Sequence, residues 1–150
     1  MIDQARIAKL ECFSALSSEE QQLLAEIATP RSVGSGKWLF RTGRPATEIL
    51  FIEQGRVAIE MELHHGHKAT VATLGAGELL GWSALVPPHI YTANARCLQD
   101  MVLISLDAEL LRESLTQDSR LEAALMTTIA QVLSSRLGGT RQQLVNILHT

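Results

Sequence analysis

The chain has 150 residues, 46% of them apolar and 19% charged, which excludes intrinsic disorder and fits one globular domain over residues 1–150. A net charge of −3 excludes a whole-chain electrostatic grip on nucleic acid, and two cysteines, Cys12 and Cys97, are too few for a disulfide framework, a Cys-rich zinc site or a Cys₄ iron–sulfur cluster. No apolar run approaches the roughly 18 residues of a membrane span, and the charged segment 1–10 does not read as a signal peptide, so a cytoplasmic protein is expected.

Residues 1–30 read as an N-terminal helical segment. Ser17 and Glu20 have capping-box spacing, with the hydroxyl placed to accept from a free amide and the carboxylate placed to reach back. Leu16, Leu23, Leu24 and Ile27 follow on one helical face, and Pro30 is expected to stop the helix.

Residues 31–106 change character: short apolar runs alternate with glycine turns. Strands are expected at 38–40 and 49–52. Along 57–63 the large apolar residues Val57, Ile59, Met61 and Leu63 alternate with small or charged ones, the pattern of a half-buried strand. The turn His64-His65-Gly66-His67 leads to an antiparallel return over 69–74, and two further strands are expected over 91–98 and 101–106. Many short strands at this spacing indicate a sandwich, barrel or jelly roll. The stretch Gly34-Ser35-Gly36-Lys37 lacks the P-loop's first glycine and its Ser or Thr after lysine, and a strand follows where a P-loop needs a helix.

Residues 107–150 return to helical periodicity. Asp107 is a candidate cap for a short helix over 108–115, and a long helix is expected from about Ser119. Its stripe of Leu121, Leu125, Ile129, Val132, Leu133, Leu137, Leu144 and Leu148 needs a partner, either the β domain or a second copy. Gly138-Gly139 interrupts that stripe, as a kink or break, or as a close crossing over a ligand. Arg136 and Arg141, which flank the glycines, read as solvated charges.

The order of these elements resembles the cyclic nucleotide-binding domains of the catabolite-activator type. Phe13-x-x-Leu16-Ser17-x-Glu19 is similar to the family's first helix. Phe40-Arg41-Thr42-Gly43-x-Pro45-Ala46 and Phe51-Ile52-Glu53-Gln54-Gly55-x-Val57 resemble its first glycine turns. Leu74-Gly75-x-Gly77-Glu78-Leu79-Leu80-Gly81 resembles the approach to its phosphate-binding cassette, and Tyr91-Thr92-Ala93-Asn94-Ala95 the strand that leaves it. The resemblance implies a mainly β fold with flanking helices: an antiparallel β-roll or jelly roll (a double-stranded β-helix) with an N-terminal helix and a long C-terminal helix.

It also implies a ligand site at Gly81, Trp82, Ser83, Ala84, Tyr91, Thr92, Ala93 and Thr140. In the family a glutamate follows the cassette glycine and holds the ribose, and an arginine on the exit strand holds the phosphate. Trp82 and Tyr91 stand at those positions, either plugging the site or stacking on a flat ligand, while Thr92 matches the small hydroxyl residue that follows. The expected function is a non-catalytic regulatory sensor, without a cofactor, that binds a cyclic nucleotide weakly or another small ligand. It would signal through a homodimer on the C-terminal helix or through a partner protein. The family's DNA-binding regulators carry a helix-turn-helix after this helix; the sequence ends at Thr150, so no direct DNA binding by it is expected, and the lack of a long apolar run leaves no membrane contact expected either. Two alternatives stand beside this reading. One is a cupin-like metal-dependent enzyme using His64, His65 and His67; the other is the sensor half of a transcription regulator lacking its helix-turn-helix.

Overall fold

The computed structural model describes residues 1–148, with Thr140 and Gln143 described for their backbone only. Eight strands form two antiparallel four-stranded sheets: β1 (Ala28–Val33), β8 (Met101–Asp107), β3 (Glu48–Gln54) and β6 (Leu79–Leu80) in one, and β2 (Trp38–Phe40), β7 (Asn94–Cys97), β4 (Val57–Glu62) and β5 (Lys68–Leu74) in the other. Helices α1 (Gln4–Ala8), α2 (Ser18–Ile27), α3 (Ala108–Gln117) and α4 (Ser119–Leu148) flank them, as the β-roll expectation requires. Among the described residues no helix is long and apolar enough to cross a membrane.

The inner strands β3 and β8 of the first sheet are buried on both faces, which explains why β3 reads as an unbroken apolar run. Alternate side chains serve two cores: Ile49 and Phe51 join the cluster under the helices, while Leu50 and Ile52 join the cluster between the sheets. In β8, Ile104 and Leu103 divide in the same way. Every one of these side chains is fully buried, at roughly 1.5–3 kcal/mol each. In the second sheet Glu60 of β4 is buried and accepts from Arg96 Nε of β7 at 2.7 Å, so this polar position is paired rather than solvated, while Glu62 is exposed.

Local signals set the ends of the elements. Ser17 Oγ accepts from Glu20 N at 3.1 Å while Glu20 Oε1 accepts from Ser17 N at 3.0 Å, closing the expected capping box on α2. Asp107 caps α3 through Leu110 N at 2.9 Å. Three expectations need correction. Helix α2 ends at Ile27, before Pro30, which lies instead in the edge strand β1, where a residue without N–H is tolerated. Its buried face centres on Leu24 and Ala25, leaving Leu23 exposed. The strand expected over 91–98 narrows to β7, because the backbone of Tyr91 is held by Gly43 N (2.8 Å) and Arg44 O (3.0 Å) instead.

Gly138-Gly139 does not break α4. The helix runs through both, and a Cβ added at either would meet nothing within 4 Å. Gly55 is the opposite case. It sits at φ +105° in the β3–β4 turn, where a Cβ would lie 2.7 Å from the Asp100 carbonyl oxygen and against Met101 Sδ. Gly66, at φ +76° in the β4–β5 turn, has open space around it. Gly55→Ala is therefore expected to lower the unfolding free energy by about 3 kcal/mol, from strain and overpacking together. Gly66→Ala should cost about 1 kcal/mol, from strain alone. Urea denaturation of the two variants checks the difference; equal losses would contradict it.

Candidate functional site

A cavity of about 670 Å³ lies between the β4–β5 hairpin, the segment after β6 and the middle of α4. Of the residues expected at a ligand site, Gly81, Trp82, Ser83, Tyr91, Thr92 and Ala93 all line it. Ala84 does not: it is fully buried in the helix-side core, and its carbonyl accepts from Arg112 Nη1 at 2.7 Å. The side chain of Thr140 lies outside the described residues.

Gly81 has φ +82°, and a Cβ there would come within 2.9 Å of the Glu48 carbonyl oxygen. Its lack of a side chain thus serves the passage of the chain against the start of β3, independently of any bound phosphate. The four-residue 3₁₀ turn Trp82–Leu85 follows, with Ala84 N donating to Gly81 O at 3.0 Å.

Tyr91 is only 5% exposed. Its hydroxyl donates to the Glu48 carbonyl at 2.8 Å, and its ring stacks on Phe40 with centroids 4.0 Å apart and planes 8° from parallel. Burial raises the phenol pKa above its ordinary value, so the group is a neutral donor. One ring face is thereby occupied by Phe40, while Tyr91 also lines the cavity. Trp82 is half-buried and packs against the helix-side core at the cavity wall.

The charged residue that sequence reasoning misplaced is Arg136. It is half-buried in α4, lines the cavity, and donates through Nη2 to the Leu79 carbonyl. Desolvation lowers its pKa, opposed by the field of Glu78. Glu78, also in the lining, accepts from Gly75 N through Oε2 at 2.7 Å. A signal for Arg136 existed: it lies seven residues after Ile129 and three after Leu133, on the same inward stripe. The wall facing it is apolar, with Ile59, Met61 and Val71 from the hairpin and Leu133 and Leu137 from α4. Arg96 is bonded to Glu60, and Arg31 is paired with Glu48.

The histidines His64, His65 and His67 are exposed at the tip of the β4–β5 hairpin, with His65 at φ 65°, so they do not face the interior where a cupin-like metal would sit. Among the described residues no three His, Cys, Asp or Glu side chains are grouped to hold a metal. A second cavity, of about 560 Å³, lies behind Arg136 and is lined by Cys12, whose thiol burial pushes up to about 12. Cys97 is buried and also raised by desolvation. Neither sulfur is poised as a nucleophile.

The family model for the cyclic nucleotide-binding domain matches residues 30–118, more than half of the chain. An uncharacterized NTE family protein of Mycobacterium tuberculosis is 28% identical over 119 residues, which is 79% of this chain; the chain spans only 20% of that relative's length. A solved cyclic nucleotide-binding-type protein from Geobacter metallireducens GS-15 superposes with a TM-score of 0.81 at 25% identity, covering 91% of this chain and 99% of that one. The Thermus thermophilus catabolite activator protein gives a TM-score of 0.73 at 25% identity, over 91% of this chain and 62% of its own.

The anchoring of Tyr91 has a measurable consequence. Tyr91→Phe keeps the ring stack and removes the bond to Glu48, so it should cost about 1–2 kcal/mol in chemical denaturation. A variant as stable as the parent would show that the hydroxyl is not what fixes this side chain.

Proposed function

We propose, for a chain that belongs to the cyclic nucleotide-binding domain family, a sensor role in which the cavity beside α4 takes a small ligand other than a cyclic nucleotide. The proposal treats residues 1–150 as one cytoplasmic, non-catalytic module. The observation that carries it is Tyr91. It stands where the family places its phosphate-binding arginine, yet it is buried, stacked on Phe40 and bonded to the Glu48 carbonyl. Trp82 stands where the family places the ribose-binding glutamate. Two charge-assisted hydrogen bonds are thus missing from the site, at roughly 1.5–3 kcal/mol each. Their loss weakens a micromolar site by about two to four powers of ten. Titration calorimetry with cyclic AMP and cyclic GMP should show no saturation below the millimolar range; micromolar binding would overturn the reading.

The response is assigned to α4. Its first half is spent inside the chain, with Leu121, Leu125 and Ile129 buried in the helix-side core. Beyond that half it carries Leu137 (52% exposed), Leu144, Val145, Ile147 and Leu148 (74% exposed). That apolar end is the surface for pairing with a second copy or docking on a partner, and not the Leu121–Ile129 stretch. Light scattering at micromolar concentration should give a dimer. Leu144→Asp with Leu148→Asp should give a folded monomer, since each leucine buried contributes roughly 1.5–3 kcal/mol. A monomeric parent protein would remove the dimer from the proposal.

A second reading, the sensor half of a transcription regulator, is favoured by the likeness to the Thermus thermophilus activator, of which the chain matches 62%. The M. tuberculosis relative instead carries its matching segment as a fifth of a longer NTE family protein, which supports a module that acts on whatever it is joined to.

A further inference from the structure

We propose that the ligand of the cavity beside α4 is an amphipathic monoanion, a hydrophobic body ending in a carboxylate, with Arg136 as the partner of that carboxylate. This deepens the sensor reading above and rests on it. Ile59, Met61 and Val71 face Leu133 and Leu137 across the opening, and Met61 (46%) and Leu137 (52%) are exposed in the chain alone. A cavity of about 670 Å³ is of the size that small ligands fill, and an apolar body entering it would remove these surfaces from water.

Among the described lining residues Arg136 is the one cation, and Glu78 the one carboxylate, already held by the Gly75 amide. A nucleotide would bring several ribose hydroxyls and polar base edges against the aliphatic walls of Ile59, Met61, Val71, Leu133 and Leu137, with the hydroxyls of Thr73, Ser83 and Thr92 as the neutral polar side chains of the described lining. A single carboxylate needs only one guanidinium.

Arg136 lies on the inward stripe with Ile129 and Leu133, and its bond to the Leu79 carbonyl fixes it between the two cavities. A guanidinium has five N–H donors, enough to hold a backbone carbonyl and a carboxylate together. Desolvation of the group, seen in its lowered pKa, strengthens its attraction for an anion that replaces water.

The test is titration calorimetry of the whole chain with sodium decanoate, 1-decanol and cyclic AMP, each below its aggregation limit, with the change in tryptophan emission as a second readout. Decanoate should bind about tenfold or more tightly than decanol. Arg136→Gln should level the two, while Arg136→Lys, which keeps the charge, should retain a preference for decanoate. The comparison of decanoate with decanol on the parent protein needs no variant, so a misfolded substitution does not decide the matter. Equal binding of decanoate and decanol would overturn the carboxylate assignment and leave the sensor reading standing. Saturation by cyclic AMP in the micromolar range would overturn both. If none of the three binds, the carboxylate assignment fails, and binding of neither class removes the support for a ligand cavity as well.

Discussion

The backbone of Glu48, at the start of β3, holds both ends of the cassette. Its carbonyl oxygen accepts the Tyr91 hydroxyl at 2.8 Å, and Gly81 passes so close that a Cβ would lie 2.9 Å away. The strand beyond it cannot shift to relieve either contact. Ile49 and Phe51 are locked into the helix-side core, and Leu50 and Ile52 into the core between the sheets. A cassette tied to a strand buried on both faces has its shape fixed by the fold, whatever occupies it. This separates the frame, which the chain keeps, from the chemistry that the frame carries in nucleotide-binding relatives.

With a phenol at the exit of the cassette, positive charge reaches the cavity from the helix side instead. Arg136 crosses from α4 to the Leu79 carbonyl, and β6 in turn pairs with β3 through Leu79↔Phe51 and Leu80↔Leu50. The guanidinium therefore connects the long helix to the same strand that anchors Tyr91. Removing one polar partner from such a buried arrangement leaves the other unsatisfied, which is why these groups act as a unit rather than as separate contacts.

Much of the fold was legible because it depends on local chemistry. The Ser17–Glu20 box, the Asp107 cap and the glycine turns each satisfy backbone groups within a few residues, so sequence spacing is enough to find them. What periodicity cannot report is what a face meets. The alternation of Val57, Ile59 and Met61 in β4 marks a face correctly, but it runs from the core at Val57 to the cavity opening at Met61. The stripe of α4 was visible in full, yet its first half packs inside the chain and only its end is open. Gly81 is expected from the resemblance at the ligand site, and its missing side chain makes room for Glu48, a contact 33 residues away in sequence that spacing does not encode. Arg136 was read by residue type as a surface charge, although its place on the stripe pointed inward.

The same division of α4 determines where a ligand could exert leverage. Leu121, Leu125 and Ile129 hold the first half against the helix-side core, and Asp118 closes its start by accepting from Leu121 N at 3.0 Å. Beyond Leu133 the helix faces the cavity on one side and water on the other, and there it carries Gly138 and Gly139. Each glycine costs about 1 kcal/mol of helix propensity relative to alanine, with no compensating contact within 4 Å of an added Cβ. The helix is thus weakest at the end of its cavity-lining stretch, where Gly139 itself lines the cavity, and just before the apolar end that a second copy or a partner would cover. A ligand held between the β4–β5 hairpin and Arg136 would order the segment before this weak point, and so bias the direction in which the exposed end leaves the domain.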